Sequence, residues 1–316
     1  MTTETMTVPW EGRVLTTAQP GEPEWLKAHE KVLGGHDVAC ILGQGRKTPL
    51  QLWAELTGKL PREDISKLPW VRRGQALEPV VCALYAEENP TRRLLPSPGL
   101  VRHAELPFLA GTPDRLLLDP ERPLGVLEAK TFGFWKRADW KEGIPLPYQV
   151  QVQVYLAVLG LDWASIAAMP VDDTKDDTAP VLCMDIVPEP TFIAFMLEEV
   201  ERFWVEHVEA DIPPPALQDD TSVLRRMFKR ESPGTVIRLN DIHDGLWQER
   251  KRLLEEKKAI EARCEEIAAT IQQEMGVAEW AEMPSGGVLR WRVEPRKEYV
   301  VKASEPRVLR EMGAIK

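Results

Sequence analysis

Cysteine is scarce and scattered: Cys40, Cys82, Cys183 and Cys264 lie far apart in 316 residues, with no C-x-x-C pair. That spacing argues against a zinc knuckle or a cysteine-held iron–sulfur cluster and predicts four reduced, mostly buried thiols. No stretch approaches the ~18 consecutive apolar residues of a membrane span. The N-terminus lacks a basic-then-apolar leader, so the expected setting is soluble and cytoplasmic, with no membrane partner. No internal repeat is evident. Basic residues are in deficit, 40 Lys and Arg against 50 Asp and Glu, for a net charge of −10. An acidic excess looks wrong for a partner of polyanions, yet phosphate contact needs only a local basic surface, and carboxylates kept for metal ions add to the acidic count. Candidate basic ground is Arg62, Lys67, Arg72 and Arg73, then Arg92 and Arg93, then Lys136, Arg137 and Lys141.

What is present is ample apolar material, 43% of the chain, for one large or two modest domains. Residues 1–20 read as a loose polar arm. Helices are predicted from Trp25 to Leu33, from Gly35 onward, and from Thr48-Pro49 to the stop at Gly58. Another spans Trp70 to Glu88, interrupted at Pro79 by the missing N–H. Strands are expected at 101–110, 114–118, 125–131, 163–169 and 181–187, the last two separated by the acidic run Asp172–Asp177. Gln149–Val154 alternates like a strand, yet continues through Leu159 to a length better suited to a helix. A helix from Phe192 to about Val208 precedes Pro213-Pro214-Pro215, which marks the boundary of a domain over 21–215. In the extension 216–316, Leu246, Leu253, Ile260 and Ile267 recur every seven residues, with Cys264 and Ile271 filling the stripe later and charged Arg250 and Lys257 beside it. That pattern predicts a long helix over about 244–275 packed on one stripe, followed by short strands near 288–293 and 298–302.

The chemistry concentrates between Gly111 and Thr131. If Asp119–Pro123 is a turn, antiparallel pairing places Asp114 opposite residue 128 or 129, and the period of two puts Val126, Glu128 and Lys130 on one face. Two carboxylates and an ammonium then meet within ~5–7 Å. Such a cluster is costly to gather unless a hard cation sits between the acids.

Pro113-Asp114, followed after thirteen residues by Glu128-Ala129-Lys130, resembles the PD-(D/E)XK nuclease pattern. Three further blocks extend the likeness: Leu33–Ala39 with Thr48–Trp53, Arg73–Pro79, and Gln151–Tyr155. Taken in order, they resemble the YqaJ-like viral recombinase family, relatives of phage lambda exonuclease. The resemblance implies an α/β (α+β) restriction-endonuclease-like core, a central mixed sheet flanked by helices. It implies Glu78, Asp114, Glu128 and the Ala129 carbonyl as ligands of one or two Mg²⁺ or Mn²⁺ ions, and Lys130 as the residue that orients or deprotonates the attacking water. Gln151 and Tyr155 match a Q-x-x-x-Y element beside them. The implied activity is 5′-to-3′ exonucleolysis of double-stranded DNA in a phage or prophage recombination system, in the host cytoplasm. The implied partners are a single-strand annealing protein and further copies of the chain in a ring trimer. Two positions depart from the family where it grips a 5′-phosphate: Trp-x-x-x-Arg is here Trp25 to His29, and Gly-Ser-Asp is Gly35-His36-Asp37. His29 and His36 are then the candidate phosphate donors, with Thr112, Lys136 and Arg137 in support, and their grip is expected to follow imidazole charge between roughly pH 6 and 8.

Overall fold

The computed structural model describes residues 10–63, 65–171 and 180–295. The chain divides into two compact units, Met1–Phe228 and Lys229–Lys316. The first opens with β1 (Arg13–Thr16), α1 (Pro23–His29), α2 (Gly35–Ile41), α3 (Pro49–Leu56) and α4 (Pro69–Glu88). Next come β2 (Arg93–Pro96), β3 (Leu100–Arg102), β4 (Ala110–Gly111), β5 (Arg115–Asp119) and β6 (Arg122–Phe132). The short α5 (Arg137–Lys141) leads into α6 (Leu146–Leu159), β7 (Ala164–Pro170), β8 (Leu182–Ile186), α7 (Pro190–Phe203) and α8 (Thr221–Met227). The second unit holds α9 (Asp241–Met275), β9 (Trp280–Glu282) and β10 (Val288–Arg290).

The main sheet runs β2-β5-β6-β7-β8, antiparallel except for the parallel pair β6–β7. Parallel neighbours need a crossover, and α6 supplies it. This is why the alternating Val-Gln segment is a helix. Pro147 stands in its first turn, Gly160 closes it in the left-handed region (φ 64°), and Val150 through Leu156 are buried all round it. One sheet face carries Val126, Ile166 and Ala168 and packs with α2, α3, α6 and α7 into the main core. The other carries Leu117, Leu127 and Ala167 against Val81, Cys82 and Tyr85 of α4. Each fully buried Val, Leu or Ile among them contributes about 1.5–3 kcal/mol. A smaller sheet, β1-β3-β4, flanks this layer.

Several expected elements take another form. Residues 13–16, read as part of a loose arm, form β1 and pair with β3. The single strand expected over 101–110 is two, because the His103 ring accepts the Glu105 and Leu106 N–H groups and turns the chain. α4 is one helix across Pro79, so of a kink and a restart, the two outcomes Pro79 allowed, the restart does not occur. The first unit also continues past Pro215. Val223 is buried in the main core, and buried Asp220 accepts a hydrogen bond from the Thr48 hydroxyl at the start of α3. In the second unit β10 pairs with β9. The expected strand at 298–302 and the acidic run at 172–177 lie outside the described residues. No helix among the described residues is long and apolar enough to cross a membrane.

Candidate active site

The β5–β6 hairpin turns tightly, with Asp119 opposite Arg122 and Arg115 opposite Leu127. Asp114, one residue before β5, therefore meets the 128–129 step, where its Oδ2 accepts the Ala129 N–H at 2.7 Å. Two residues along one strand face, Lys130 Nζ donates to Glu128 Oε1. From α6, Gln151 Nε2 donates to the same Glu128 oxygen at 2.8 Å and to the Tyr155 hydroxyl oxygen at 2.5 Å, as their i, i+4 spacing allows. Asp114, Glu128, Lys130, Gln151 and Tyr155 thus form one cluster.

Two glycines make room for it. A Cβ on Gly35 would lie 2.7 Å from Gln151 Cγ and 2.9 Å from its Cα, and one on Gly111 would lie 2.7 Å from Tyr155 Cδ1. The N-terminus of α2 and the end of β4 can approach α6 only without a side chain there.

Electrostatically the cluster is short of positive charge. Burial, and then the neighbouring Glu128 charge, hold the Asp114 carboxyl well above the ordinary carboxylate range. Burial opposes the Lys130 charge, but Glu128 and Asp114 overcome this and keep its ammonium above its usual value. Burial and Glu128 likewise raise the Tyr155 phenol well above normal, so it is neutral. Glu128 Oε2 and Gln151 Oε1 are buried and accept no hydrogen bond. A buried carboxylate oxygen without a donor is costly. An oxygen-seeking divalent cation is the species that fits these acceptors, since it would satisfy the orphan oxygen and relieve the Asp114–Glu128 repulsion.

Glu78 projects from α4 and pairs with the Arg115 guanidinium at 2.8 Å; the same guanidinium donates to the Asp114 carbonyl, and the Glu78 charge is among those that raise the Asp114 carboxyl. Among the described residues, no group of three His, Cys, Asp or Glu side chains stands at metal-holding distances. Arg115 was not singled out from the sequence. Strand alternation after Asp114 carries the signal, because adjacent residues face opposite sides. Tyr148 was also missed; its ring lies 5.1 Å from the Lys130 ammonium and ends the stack Phe132–Trp140–Tyr148.

The phosphate candidates fall into two groups. His29 stacks on Trp25 at 4.3 Å, and the Trp25 indole donates to Thr112 Oγ1 at 3.1 Å. Arg62 reaches in beside them, donating to the His29 carbonyl at 3.0 Å and pairing with Asp37 at 2.9 Å. Burial lowers the His29 pKa to about 4. His36 follows on α2 with its side chain exposed. Crowding by the surrounding protein and the Lys130 charge also press its imidazole below the ordinary value. His29, with its pKa at about 4, does not change charge between pH 6 and 8 in the free protein. Lys136 is exposed and drawn to Asp139 at 2.9 Å, and Arg137 follows it at the start of α5.

Residues 24–162 match the family described as the YqaJ-like viral recombinase domain. The chain is 26% identical to the protein YqaJ of Bacillus subtilis strain 168 over 263 residues, 81% of this chain and 79% of that protein. Its fold is similar to an alkaline exonuclease of Laribacter hongkongensis, with a TM-score of 0.51 at 22% identity over 60% of this chain and 94% of the other. A second structure of that exonuclease, in complex with dAMP, gives 0.50 at 24% over 65% and 97%. These likenesses identify the PD-(D/E)XK fold, a mixed sheet between helices. The chain thus carries a YqaJ-like viral recombinase domain match over residues 24–162 and is homologous to YqaJ.

Proposed function

We propose that this protein is a metal-dependent deoxyribonuclease, a 5′-to-3′ exonuclease on double-stranded DNA that serves phage or prophage recombination. The observation that carries the reading is the buried, unsatisfied Glu128 Oε2 beside Asp114, whose carboxyl pKa is pushed upward by burial and the Glu128 charge, with Lys130 on the same strand face. Asp114, Glu128 and the Ala129 carbonyl would hold Mg²⁺ or Mn²⁺, as one ion or two. Bound there, such an ion would acidify a coordinated water and neutralise charge developing on a phosphodiester during in-line displacement.

The remaining work falls to the side chains. Lys130, held protonated by both carboxylates, serves as a donor that orients the scissile phosphate or the incoming water. It becomes a base only after the acid pair's charge is neutralised. Gln151 fixes one Glu128 oxygen, leaving the other for the ligand. Tyr155, neutral, keeps its proton and braces Gln151. Glu78, beside Asp114 and paired with Arg115, completes the acid set when DNA or metal competes for that guanidinium.

A ring-forming homo-oligomer and a single-strand annealing partner belong to the same reading. The test is a linear duplex labelled separately at each 5′ and 3′ end, incubated with Mg²⁺ or with chelator, beside nicked and closed circular DNA. Shortening from the 5′ ends, with circles intact and chelator inhibiting, supports the proposal. Cutting of closed circles points to an endonuclease instead, and no cleavage with retained DNA binding to a silent scaffold.

A further inference from the structure

We propose that α9 pairs with α9 of a second copy of this chain in an antiparallel coiled coil. It rests on α9 alone and is independent of the nuclease reading.

α9 runs for 35 residues, roughly 52 Å at 1.5 Å per residue, and buries no residue. Its N-terminus is capped by the Asn240 side chain, which accepts the His243 N–H. Leu246, Leu253, Ile260 and Ile267 lie along one stripe and are 57%, 49%, 64% and 46% exposed. An isolated helix gains little from propensity, and a seven-residue apolar repeat is the signature of a helix that packs on another helix.

The residues beside the stripe choose the orientation. With the stripe at heptad position d, position a is His243, Arg250, Lys257, Cys264 and Ile271. In a parallel pair each a residue meets its own copy. Arg250 would face Arg250 and Lys257 would face Lys257, like charges in the seam. In an antiparallel pair each a residue meets a d residue, and one register matches every layer. Leu246 then faces the partner's Ile271, and Leu253 faces the partner's Cys264. Nearer the centre, Ile260 and Ile267 receive the aliphatic stems of the partner's Lys257 and the partner's Arg250, whose charged ends reach water. The terminal layer joins His243 to the partner's Glu274.

Two flank pairs agree with this register. Glu256 comes beside the partner's Arg263, and two-fold symmetry makes that contact twice. Trp247 comes over the partner's Ala268, a large residue against a small one. Glu256 and Arg263 are held, among the described residues, by exposed intrahelical pairs, to Arg252 at 2.7 Å and to Glu266 at 2.6 Å. Both are available for exchange.

Native Cys264 gives the test, because it is exposed on α9. In the antiparallel pair the two Cys264 residues are separated along the axis by eleven residues, roughly 16 Å, too far for a disulfide. A parallel pair would set them face to face. The full-length protein is treated with a mild thiol oxidant, as the parent and as Leu253→Cys, and its mass is followed by light scattering. The expected result in the parent is no inter-subunit disulfide. In Leu253→Cys the new thiol at position 253 should bridge to the partner's Cys264, and Ile260→Glu should halve the assembly mass. Glu256→Arg should raise the dissociation constant about tenfold, and Arg263→Glu added to it should restore pairing. A Cys264–Cys264 bridge in the parent, no bridge in Leu253→Cys, or an assembly mass indifferent to Ile260→Glu would overturn the proposal.

Discussion

The Asp114 carboxylate accepts the Ala129 N–H at 2.7 Å across the β5–β6 hairpin, so the backbone of the Glu128-Ala129-Lys130 strand aims the first acid at the second. One oxygen is spent on position and the other is left for chemistry. Asp114→Asn should keep the first role, because its amide oxygen still accepts that N–H, while losing the negative charge. DNA binding should persist, since phosphate contacts and metal ligation are separate. Cleavage should fall at least about 100-fold. Lys130→Ala should cost about 10²–10⁴ in turnover and spare metal binding. Calorimetric Mn²⁺ titration beside single-turnover rates separates the two, and near-normal cleavage by Asp114→Asn would remove the acid pair from the mechanism.

Proton linkage follows from the same pair. Asp114 has a raised pKa in the folded protein, so above the ordinary carboxylate value of about 3.9 the unfolded chain ionises first while the fold retains its proton. Without metal, folding stability should therefore decline as pH rises from there through the folded-state pKa. Ion binding displaces that proton and offsets the loss. The rise in Tm given by Mg²⁺ should accordingly grow with pH across this window, and Asp114→Asn should abolish the growth. Thermal unfolding with and without Mg²⁺ between pH 5 and 9 measures it. A Mg²⁺ effect independent of pH would refute the linkage.

Packing around Gln151 and Tyr155 gives a sharper test than removing them. In Gly35→Ala the new methyl meets Gln151 Cα at 2.9 Å, so α2 and α6 must separate; in Gly111→Ala it meets the Tyr155 ring. Each should cost about 1–3 kcal/mol of stability and lower turnover by displacing the Glu128 donor. Gly74→Ala is the control, because its nearest neighbour is Thr131 Oγ1 at 4.0 Å, and it should gain up to about 1 kcal/mol from helix propensity. Equal effects from all three would mean that the close approach to α6 is not what matters.

The hairpin was legible because its register is set locally. A turn at Pro120-Glu121 and the strand period suffice to put Asp114 against the 128–129 step. Helix α6 was half legible: its length favoured a helix, but burial on every side left the Val-Gln alternation without meaning. Gln151 is satisfied by Glu128, and Gln153 by the backbone at 187 and 189, partners that only the fold supplies. Glu78 was brought to the acids by resemblance, and the fold sets it on α4 beside Asp114, held by Arg115. Titration of His29 was illegible for the same kind of reason: burial beside Arg62, 33 residues along the chain, is supplied only by the fold.

That environment revises the expectation for DNA ends. With a pKa of about 4, His29 is neutral throughout pH 6–8 and offers a donor without charge. Any preference for 5′-phosphorylated over 5′-hydroxyl ends should therefore be flat across this range. It should depend on Arg62, the guanidinium that stands over the same corner. Initial rates on the two kinds of end, for the parent and for Arg62→Ala, give the comparison. A preference that decays between pH 6 and 8 would mean that bound phosphate lifts His29 into the window.

Truncation tests where the first unit ends. Cutting after Pro215 removes Val223 from the main core and takes Asp220 from the Thr48 hydroxyl. Losing the buried valine costs about 1.5–3 kcal/mol. Losing the hydrogen bond to a carboxylate costs about 1.5–3 kcal/mol more. Cutting after Phe228 leaves both in place. The 228 truncation should therefore unfold near the transition of the first unit in the full chain, and the 215 truncation should be destabilised by about 3–6 kcal/mol, the sum of those two losses. Denaturant titrations of the two truncations decide the point. Equal stability would return the boundary to the tri-proline, and failure of the 228 form to fold would mean that the first unit depends on residues beyond it.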